Sequence, residues 1–305
     1  MFFVEPIVSV IIPTYRRIAP LKEALASVCA QECPCVEIII IDDNATTEWN
    51  ESIRRIIDEA RCCMFQKNHT LSLIANKTNL GAAQSRNVGI HASHGAYITF
   101  LDDDDVYLPG KISVQLEAMA ASSADYSLMN LELINDEGKT VEHKKHPYAK
   151  AASSPEELLR LHLRHHLTGT DTMMFRREYL LKIGCFGSID VGDEFYLMMN
   201  AIEHEGRFLY IPRTLVRARV HYDGSDLSGG PLKLEGENLL FRFKQKYFSQ
   251  LKTEDIRYIR MRHHAVLAFA HLKVRKFFPF LKEALLSLLI SPVNCIRMLY
   301  QRHHQ

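Results

Sequence analysis

Apolar positions along this chain fall into short runs that alternate with segments of helical spacing. Residues 8–12 and 36–41 are apolar runs, each closed by a polar cluster, and read as buried strands. Residues 71–75 and 97–101 repeat the pattern. Between them, Leu21, Leu25 and Val28, then Ile53, Ile56 and Ile57, mark one face of a helix each. Residues 81–92 predict a further helix entered through the turn at Gly81. Strands alternating with helices predict βαβ units, an α/β fold and a mostly parallel sheet flanked by helices.

In such a sheet, working residues gather beyond the carboxyl ends of the strands. Three polar clusters sit there: Pro13-Thr14-Tyr15-Arg16-Arg17, Asp42-Asp43-Asn44 and Asp102-Asp103-Asp104-Asp105. Four consecutive acids raise one another's pKa and repel, unless a hard divalent cation sits among their oxygens. A solvated acidic turn is the alternative for any single cluster. Three clusters on one sheet edge point to a metal–phosphate site.

After about residue 125 the alternation is lost. Residues 126–134 predict a strand followed by a hairpin turn at Asp136-Glu137-Gly138-Lys139. Residues 155–166 predict a helix capped by Ser154 with Glu157 three positions on. Strands follow at 170–176 and 207–211, with a helix opening at Gly192-Asp193-Glu194 between them. Residues 239–305 read as mainly helical, basic and rich in histidine. The domain boundaries drawn from this are 1–125, 126–232 and a C-terminal helical extension over 233–305. Residues 277–300 are strongly apolar, flanked by Lys273, Arg275, Lys276, Lys282, Arg297 and Arg302. Apolar helical faces predict a layer covering the sheet, whereas the basic flanks suit peripheral contact with an anionic membrane.

The 305 residues are 47% hydrophobic and 24% charged, enough for a full core. A net charge of +1 argues against nucleic acid as the partner. The seven cysteines show neither zinc-site nor disulfide-framework spacing, which fits a reducing cytoplasm. The start of the chain lacks the pattern of a signal peptide, and no run of about 18 uncharged apolar residues occurs. His162, His165 and His166 read as packed or solvated, since no third ligand accompanies the helical pair.

Taken together, Val8-Ser9-Val10-Ile11-Ile12-Pro13-Thr14-Tyr15-Arg16-Arg17, Ile41-Asp42-Asp43-Asn44, Asn79-Leu80-Gly81-Ala82-Ala83-Gln84-Ser85-Arg86-Asn87-Val88-Gly89 and Phe100 to Asp105 with Pro109 beyond resemble glycosyltransferase family 2 in order and spacing. The resemblance covers residues 7–112, with weaker matches to about 230. It implies the GT-A fold and inverting transfer of a sugar from a nucleotide-diphosphate donor, with Mn²⁺ or Mg²⁺ on the diphosphate. The implied acceptor is a saccharide or lipid-linked glycan of the cell surface, with the enzyme in the cytoplasm or at the inner face of the membrane.

On that resemblance, Asp43 would accept the N–H of a uracil or thymine base, walled by Pro13, Thr14 and Tyr15. Tyr15 alternatively packs the loop. Arg17, Asn79, Gly81 and Arg86 join the donor site, with a structural ion pair as the other reading of Arg86. The family's DxD pattern falls on Asp102 and Asp104. Asp104 is the implied direct metal ligand, Asp102 faces the ribose or a metal-bound water, and Asp103 fills the variable, expendable middle place. His221 would reach the metal or diphosphate, or is a surface histidine ahead of Ser225 or Ser228. The base that takes the acceptor proton is Glu194 or Asp193, with Glu194 favoured by its spacing from Leu197. Capping the helix is the alternative role for both. Thr168-Gly169-Thr170-Asp171 would shape the acceptor side. Two rival activities are an aspartyl-nucleophile phosphohydrolase, against which Val106 argues, and a non-catalytic nucleotide-sugar binding module.

Overall fold

The computed structural model describes residues 7–63, 68–147, 149, 152, 154–167, 169–188, 192–221 and 230–303. The chain divides into two compact units, Met1–Ala151 with Leu167–Arg219, and Ala152–His166 with Val220–Gln305.

The first unit holds β1 (Val8–Thr14), α1 (Ala19–Cys29), β2 (Val36–Asp42), α2 (Thr47–Cys63), β3 (Thr70–Ala75), α3 (Ala82–Ala92), β4 (Tyr97–Phe100), β5 (Val106–Tyr107), α4 (Lys111–Ser122), β6 (Tyr126–Ile134) and β7 (Thr140–Lys144), and then β8 (Met174–Arg176), α6 (Arg177–Lys182), α7 (Asp193–Glu203) and β9 (Phe208–Arg219). The second holds α5 (Pro155–His165), α8 (Gly230–Gln245), α9 (Thr253–Lys273), α10 (Phe277–Ile290) and α11 (Pro292–His303).

One sheet runs in the order β3-β2-β1-β4-β8-β6-β9-β5, with β7 added on β6. The strands β3, β2, β1 and β4 are mutually parallel, so their carboxyl ends share one edge. Every residue of β1 and β2 is buried, as expected of central strands covered on both faces. Val8, Val10 and Ile12 share a core with Leu21, Leu25 and Val28 of α1 and with Ile53 and Ile57 of α2. Ile11 points to the other face, where α3 lies close. A Cβ on Gly89 would come within 2.5 Å of Ile11 Cγ2, so only glycine permits this approach.

The second half of the sheet is mixed. The antiparallel β8 joins β4 to β6, while β9 runs parallel to β6. Here the sequence expectations need correction. Residues 170–176 do not form one strand. The N–H and hydroxyl of Thr172 both donate to the Gly169 carbonyl, at 2.9 and 2.6 Å, and wind Thr170–Thr172 into a 3₁₀ turn before β8. The predicted strand at 207–211 continues to Arg219. Its Pro212 sits where the register with β6 slips between the Met129–Ile211 and Asn130–Thr214 pairs, a bulge that removes the need for its missing N–H.

The helix α4, which the sequence reading did not predict, has a mixed inward face on which Lys111 and Gln115 are buried beside Ile112 and Met119. Lys111 and Gln115 are wholly buried. The Gln115 amide donates to the Ser127 hydroxyl and the Thr172 carbonyl, at 3.0 and 2.8 Å. The Lys111 ammonium has no carboxylate partner among the described contacts. It meets the Thr99 hydroxyl, lies 3.2 Å from the Tyr107 hydroxyl and stands 4.2 Å over the Tyr107 ring. Tyr107 in turn donates to the Phe100 carbonyl at the end of β4.

In the second unit, Ser154 caps α5 by accepting the Glu157 N–H at 3.3 Å, as predicted. Arg160 and Arg164 of α5 both reach the buried Asp255 of α9, at 3.2 and 2.7 Å. His162 is buried within this unit and His165 lies against the Tyr258 ring. The expectation that the apolar faces of α10 and α11 are core fails. Phe278 is 85% exposed and Leu289 68%.

Burial lowers the Lys111 pKa from 10.5 to about 7, with Asp171 opposing. The folded chain therefore holds fewer protons at this site than the unfolded chain between those values, so stability rises with pH across that window. Urea unfolding of the wild type from pH 7 to 10 should show this rise, approaching about 1 kcal/mol per pH unit at most. Lys111→Met should remove that increment. An identical pH profile in the variant would refute a depressed Lys111 pKa.

Candidate active site

The site grows from the shared edge of the parallel strands. On α3, directly after the glycine turn, Arg86 lies almost wholly buried between two acids from distant parts of the chain. Its guanidinium pairs with Asp102 after β4 and, at 2.6 Å, with Asp193 at the start of α7. Burial disfavours the charge, but Asp102 and Asp193 overcome it and push the arginine pKa up. The Arg86 plane also stands 5.4 Å over the Phe186 ring. Neighbouring residues of α3 hold the same segment: Asn87 exchanges two hydrogen bonds with the Phe186 backbone, and Gln84 donates to the Gly187 carbonyl at 2.8 Å. Of the two readings of Arg86, the structure shows the ion pair.

The four consecutive acids have four different environments. Asp102 is the most open, its side chain 40% exposed, and its N–H donates to Asp171 Oδ1 at 3.0 Å. Asp103 is buried and accepts the Thr14 hydroxyl at 2.7 Å, the Tyr15 N–H at 3.3 Å and Arg17 at 3.1 Å. Burial pushes its pKa up to about 6 against these donors. Asp103 is thus no expendable middle residue, because it ties the loop after β1 to the loop after β4. Asp104 pairs with Arg17 at 2.5 Å. Burial works against the Arg17 charge, yet Asp104 and Asp103 raise its pKa on balance. Asp105 accepts the Arg219 N–H at 2.8 Å and hydrogen-bonds to Asp171. Burial and this neighbour raise the Asp105 pKa, and burial with Asp102 lifts Asp171 to about 7.

At the end of β2, Asp43 is buried and accepts three donors. The Leu80 N–H and the Asn76 amide reach Oδ1, each at 2.8 Å, and the Gly81 N–H reaches Oδ2 at 2.9 Å. Asn79 donates to the Asp43 carbonyl at 3.2 Å. Gly81 adopts φ 81°, which permits the turn that delivers these N–H groups and starts α3. This carboxylate organises the loop that carries Arg86. Pro13 is buried inside β1 opposite Ile41. Tyr15 and Arg16 are the exposed members of their cluster, with the Arg16 guanidinium 5.0 Å from the Tyr15 ring. Arg16 itself takes φ 55° and donates its N–H to Asn44 at 2.7 Å.

Asp193 and Glu194 open α7 as predicted, in clearly different settings. Asp193 is buried, held by Arg86, and accepts the Glu194 N–H at 2.8 Å. Burial pushes its pKa up against the opposing Arg86, and Glu194 adds to the rise. Glu194 is half-buried. His221 is half-buried two residues beyond β9 and belongs to the second unit. Thr168, Ser225 and Ser228 lie outside the described residues.

Among the described residues, the carboxylates of Asp102, Asp105 and Asp171 form a group whose nearest oxygens lie within 4.8 Å of one another. Asp171, expected on the acceptor side, thus belongs to the acidic cluster. Only its pairing across the sheet reveals this, since a lone Asp before a short strand carries no sequence signal. An all-oxygen donor set of this kind suits a hard divalent cation such as Mn²⁺ or Mg²⁺.

Comparison with known proteins bears on the family and the fold. The family model described as glycosyl transferase family 2 matches residues 9–184. An uncharacterized glycosyltransferase of Rickettsia felis is 38% identical over 135 residues, which cover 44% of this chain and 21% of the relative. The putative teichuronic acid biosynthesis glycosyltransferase TuaG of Bacillus subtilis is 30% identical over 176 residues, 57% of this chain and 64% of TuaG. The chain thus spans between a fifth and two thirds of the length of these curated relatives. Among solved structures, S. aureus TarS 1–349 in complex with UDP-GlcNAc superposes with a TM-score of 0.61 at 17% identity, covering 92% of this chain and 91% of that one. The mannosyltransferase PcManGT of Pyrobaculum calidifontis, in complex with GDP-Man and Mn²⁺, gives 0.62 at 15% identity, covering 98% and 85%. These structures establish the GT-A fold. With the family model matched over more than half of its length, the chain belongs to glycosyltransferase family 2.

Proposed function

We propose that this chain is a metal-dependent, inverting glycosyltransferase. It moves a sugar from a UDP- or dTDP-sugar to a hydroxyl of a saccharide or lipid-linked glycan, in cell-surface polysaccharide synthesis. The observation that carries this reading is the Arg86 bridge, which couples the acidic edge at Asp102 to the Asp193-Glu194 helix start. The similarity to TuaG supports the polysaccharide setting, and the fold shared with proteins bound to UDP-GlcNAc and GDP-Man supports a nucleotide-sugar donor. The cytoplasm, at the inner face of the cell membrane, is the compartment that goes with this reading.

The residues divide the work as follows. Tyr15 offers an exposed ring to the nucleotide base, on the loop that Thr14 and Asp103 fix in place. Arg17 neutralises Asp103 and Asp104 in the free protein and provides a cation for the diphosphate. Asp102 and Asp104 would hold Mn²⁺ or Mg²⁺, with Asp105 and Asp171 as further ligands to be tested; the ion would supply positive charge to the departing diphosphate. The half-buried Glu194 takes the proton of the acceptor hydroxyl at a carboxylate oxygen. The acceptor oxygen bonds to the anomeric carbon as the bond to the phosphate oxygen breaks, and the electron pair leaves on the nucleoside diphosphate. A single displacement of this kind inverts the anomeric centre. Asp193, clamped by Arg86, sets the position of Glu194.

In a transfer or donor-hydrolysis assay, Glu194→Gln should lower kcat at least about a hundredfold with little change in donor KM. Asp193→Asn should lower thermal stability more and kcat less, and the reverse ranking would move the base to Asp193. Asp102→Asn and Asp104→Asn should each abolish stimulation by Mn²⁺. Turnover that keeps its metal dependence in both variants would reject them as ligands. Arg86→Met leaves two acids without their shared cation and should cost about 3–5 kcal/mol in urea unfolding. A cost under about 1 kcal/mol would show that the bridge is not a structural constraint.

A further inference from the structure

The second unit carries a surface feature that the transferase reading does not use. Twelve of the sixteen exposed large hydrophobic side chains among the described residues fall between Leu272 and Tyr300. In α10, Phe277, Leu281, Leu285 and Leu289 recur every fourth position and make one stripe, 47–68% exposed. In α11, Val293 and Ile296 are 68% and 61% exposed. A concentration of this kind marks a binding surface rather than scattered apolar residues.

Charge identifies the partner. Lys273, Arg275, Lys276, Lys282 and Arg297 are exposed around the stripe. The acid of α10, Glu283, is withdrawn, its side chain 12% exposed and paired with His264 at 2.6 Å. An apolar face rimmed by cations complements an anionic lipid surface. A two-fold contact between copies of this chain would press the same cations together. No single helix among the described residues is long and apolar enough to cross a membrane, and the 14 residues of α10 extend about 21 Å against a hydrocarbon core of about 30 Å. The bend of 116° between α10 and α11 prevents the pair from acting as one straight span, and suits two short helices lying in the interface.

We infer that α10 and α11 dock the second unit onto an anionic lipid bilayer, with the apolar stripe entering the headgroup–acyl boundary and the lysines and arginines at the phosphate level. This inference stands apart from the proposed transferase activity, so either can fail alone. The test is flotation of the full chain with vesicles of phosphatidylcholine alone or with phosphatidylglycerol added. Binding to the anionic vesicles should be at least about tenfold stronger, and should weaken as salt is raised. The double substitution Phe278→Glu with Leu289→Glu should lower that binding at least about tenfold, because two charges cannot enter the apolar boundary. Both side chains are mostly exposed, so the thermal unfolding midpoint should not move. Lys276→Glu with Arg297→Glu should remove the preference for phosphatidylglycerol. The inference is overturned if the wild type stays unbound with both vesicles, or if the Phe278 and Leu289 variant binds as the wild type does. A dimer seen by light scattering that the same variant dissolves would also overturn it.

Discussion

The charge balance around Arg86 is the constraint on which the candidate site depends. Two carboxylates, Asp102 and Asp193, come from segments far apart in the chain and sit close to one buried guanidinium. Without that cation, Asp102 and Asp193 would lose the charge that offsets their repulsion and desolvation. Arg86 is in turn placed by the turn before α3, and that turn is held by Asp43 through the Leu80 and Gly81 N–H groups. Acid therefore organises loop, loop places arginine, and arginine holds together the acid after β4 and the acid that opens α7. Such a chain of charge-assisted contacts preorganises a site before any ligand arrives.

Arg17 plays a second, less permanent part. Its side chain is about one-third exposed and meets Asp103 and Asp104 at the rim. A partly solvated pair of this kind contributes little to stability and can exchange partners readily. The contrast with Arg86 is one of burial: the Arg86 side chain is 5% exposed and the Arg17 side chain 32%. Behind the acids, the packing is polar as well. Lys111, Thr99 and Tyr107 form a buried cluster whose tyrosine hydroxyl engages the Phe100 carbonyl, the last residue of β4. The end of the strand that delivers the acidic run is thereby held from below as well as from its neighbours.

The N-terminal half was legible because its strands are buried on both faces and its helices are amphipathic, so hydrophobic period translates directly into structure. The predicted strands at 8–12, 36–41, 71–75 and 126–134 match observed strands to within two residues at either end. Where polar residues share the inward face, as Lys111 and Gln115 do with Ile112 and Met119 in α4, the period blurs because buried polar residues look like surface. The two-residue β5 depends on pairing with Arg217 and Val216, over a hundred residues later, and no local signal announces it. The site shows the same division. Its residue types and their order were readable, while Asp171 joined the acidic cluster only through the sheet.

By itself, the sequence determined which residues are chemically conspicuous and that they follow strands: the loop after β1, the pair after β2, the acidic run after β4 and the two acids that open α7. It also determined the family, because spacing along one chain is enough to establish it. Only the tertiary structure decided what each acid does. It committed Asp43 to a loop, Asp103 to the tie between two loops, Asp193 to Arg86, and left Asp102 and Glu194 the more open members of their pairs. It also decided that the apolar stripe of α10 and α11 faces outward. The physical reason is common to all of these. Charge, burial and hydrogen-bond satisfaction depend on neighbours in space, and residues such as Arg86 and Asp193, 107 positions apart, become neighbours only when the sheet forms.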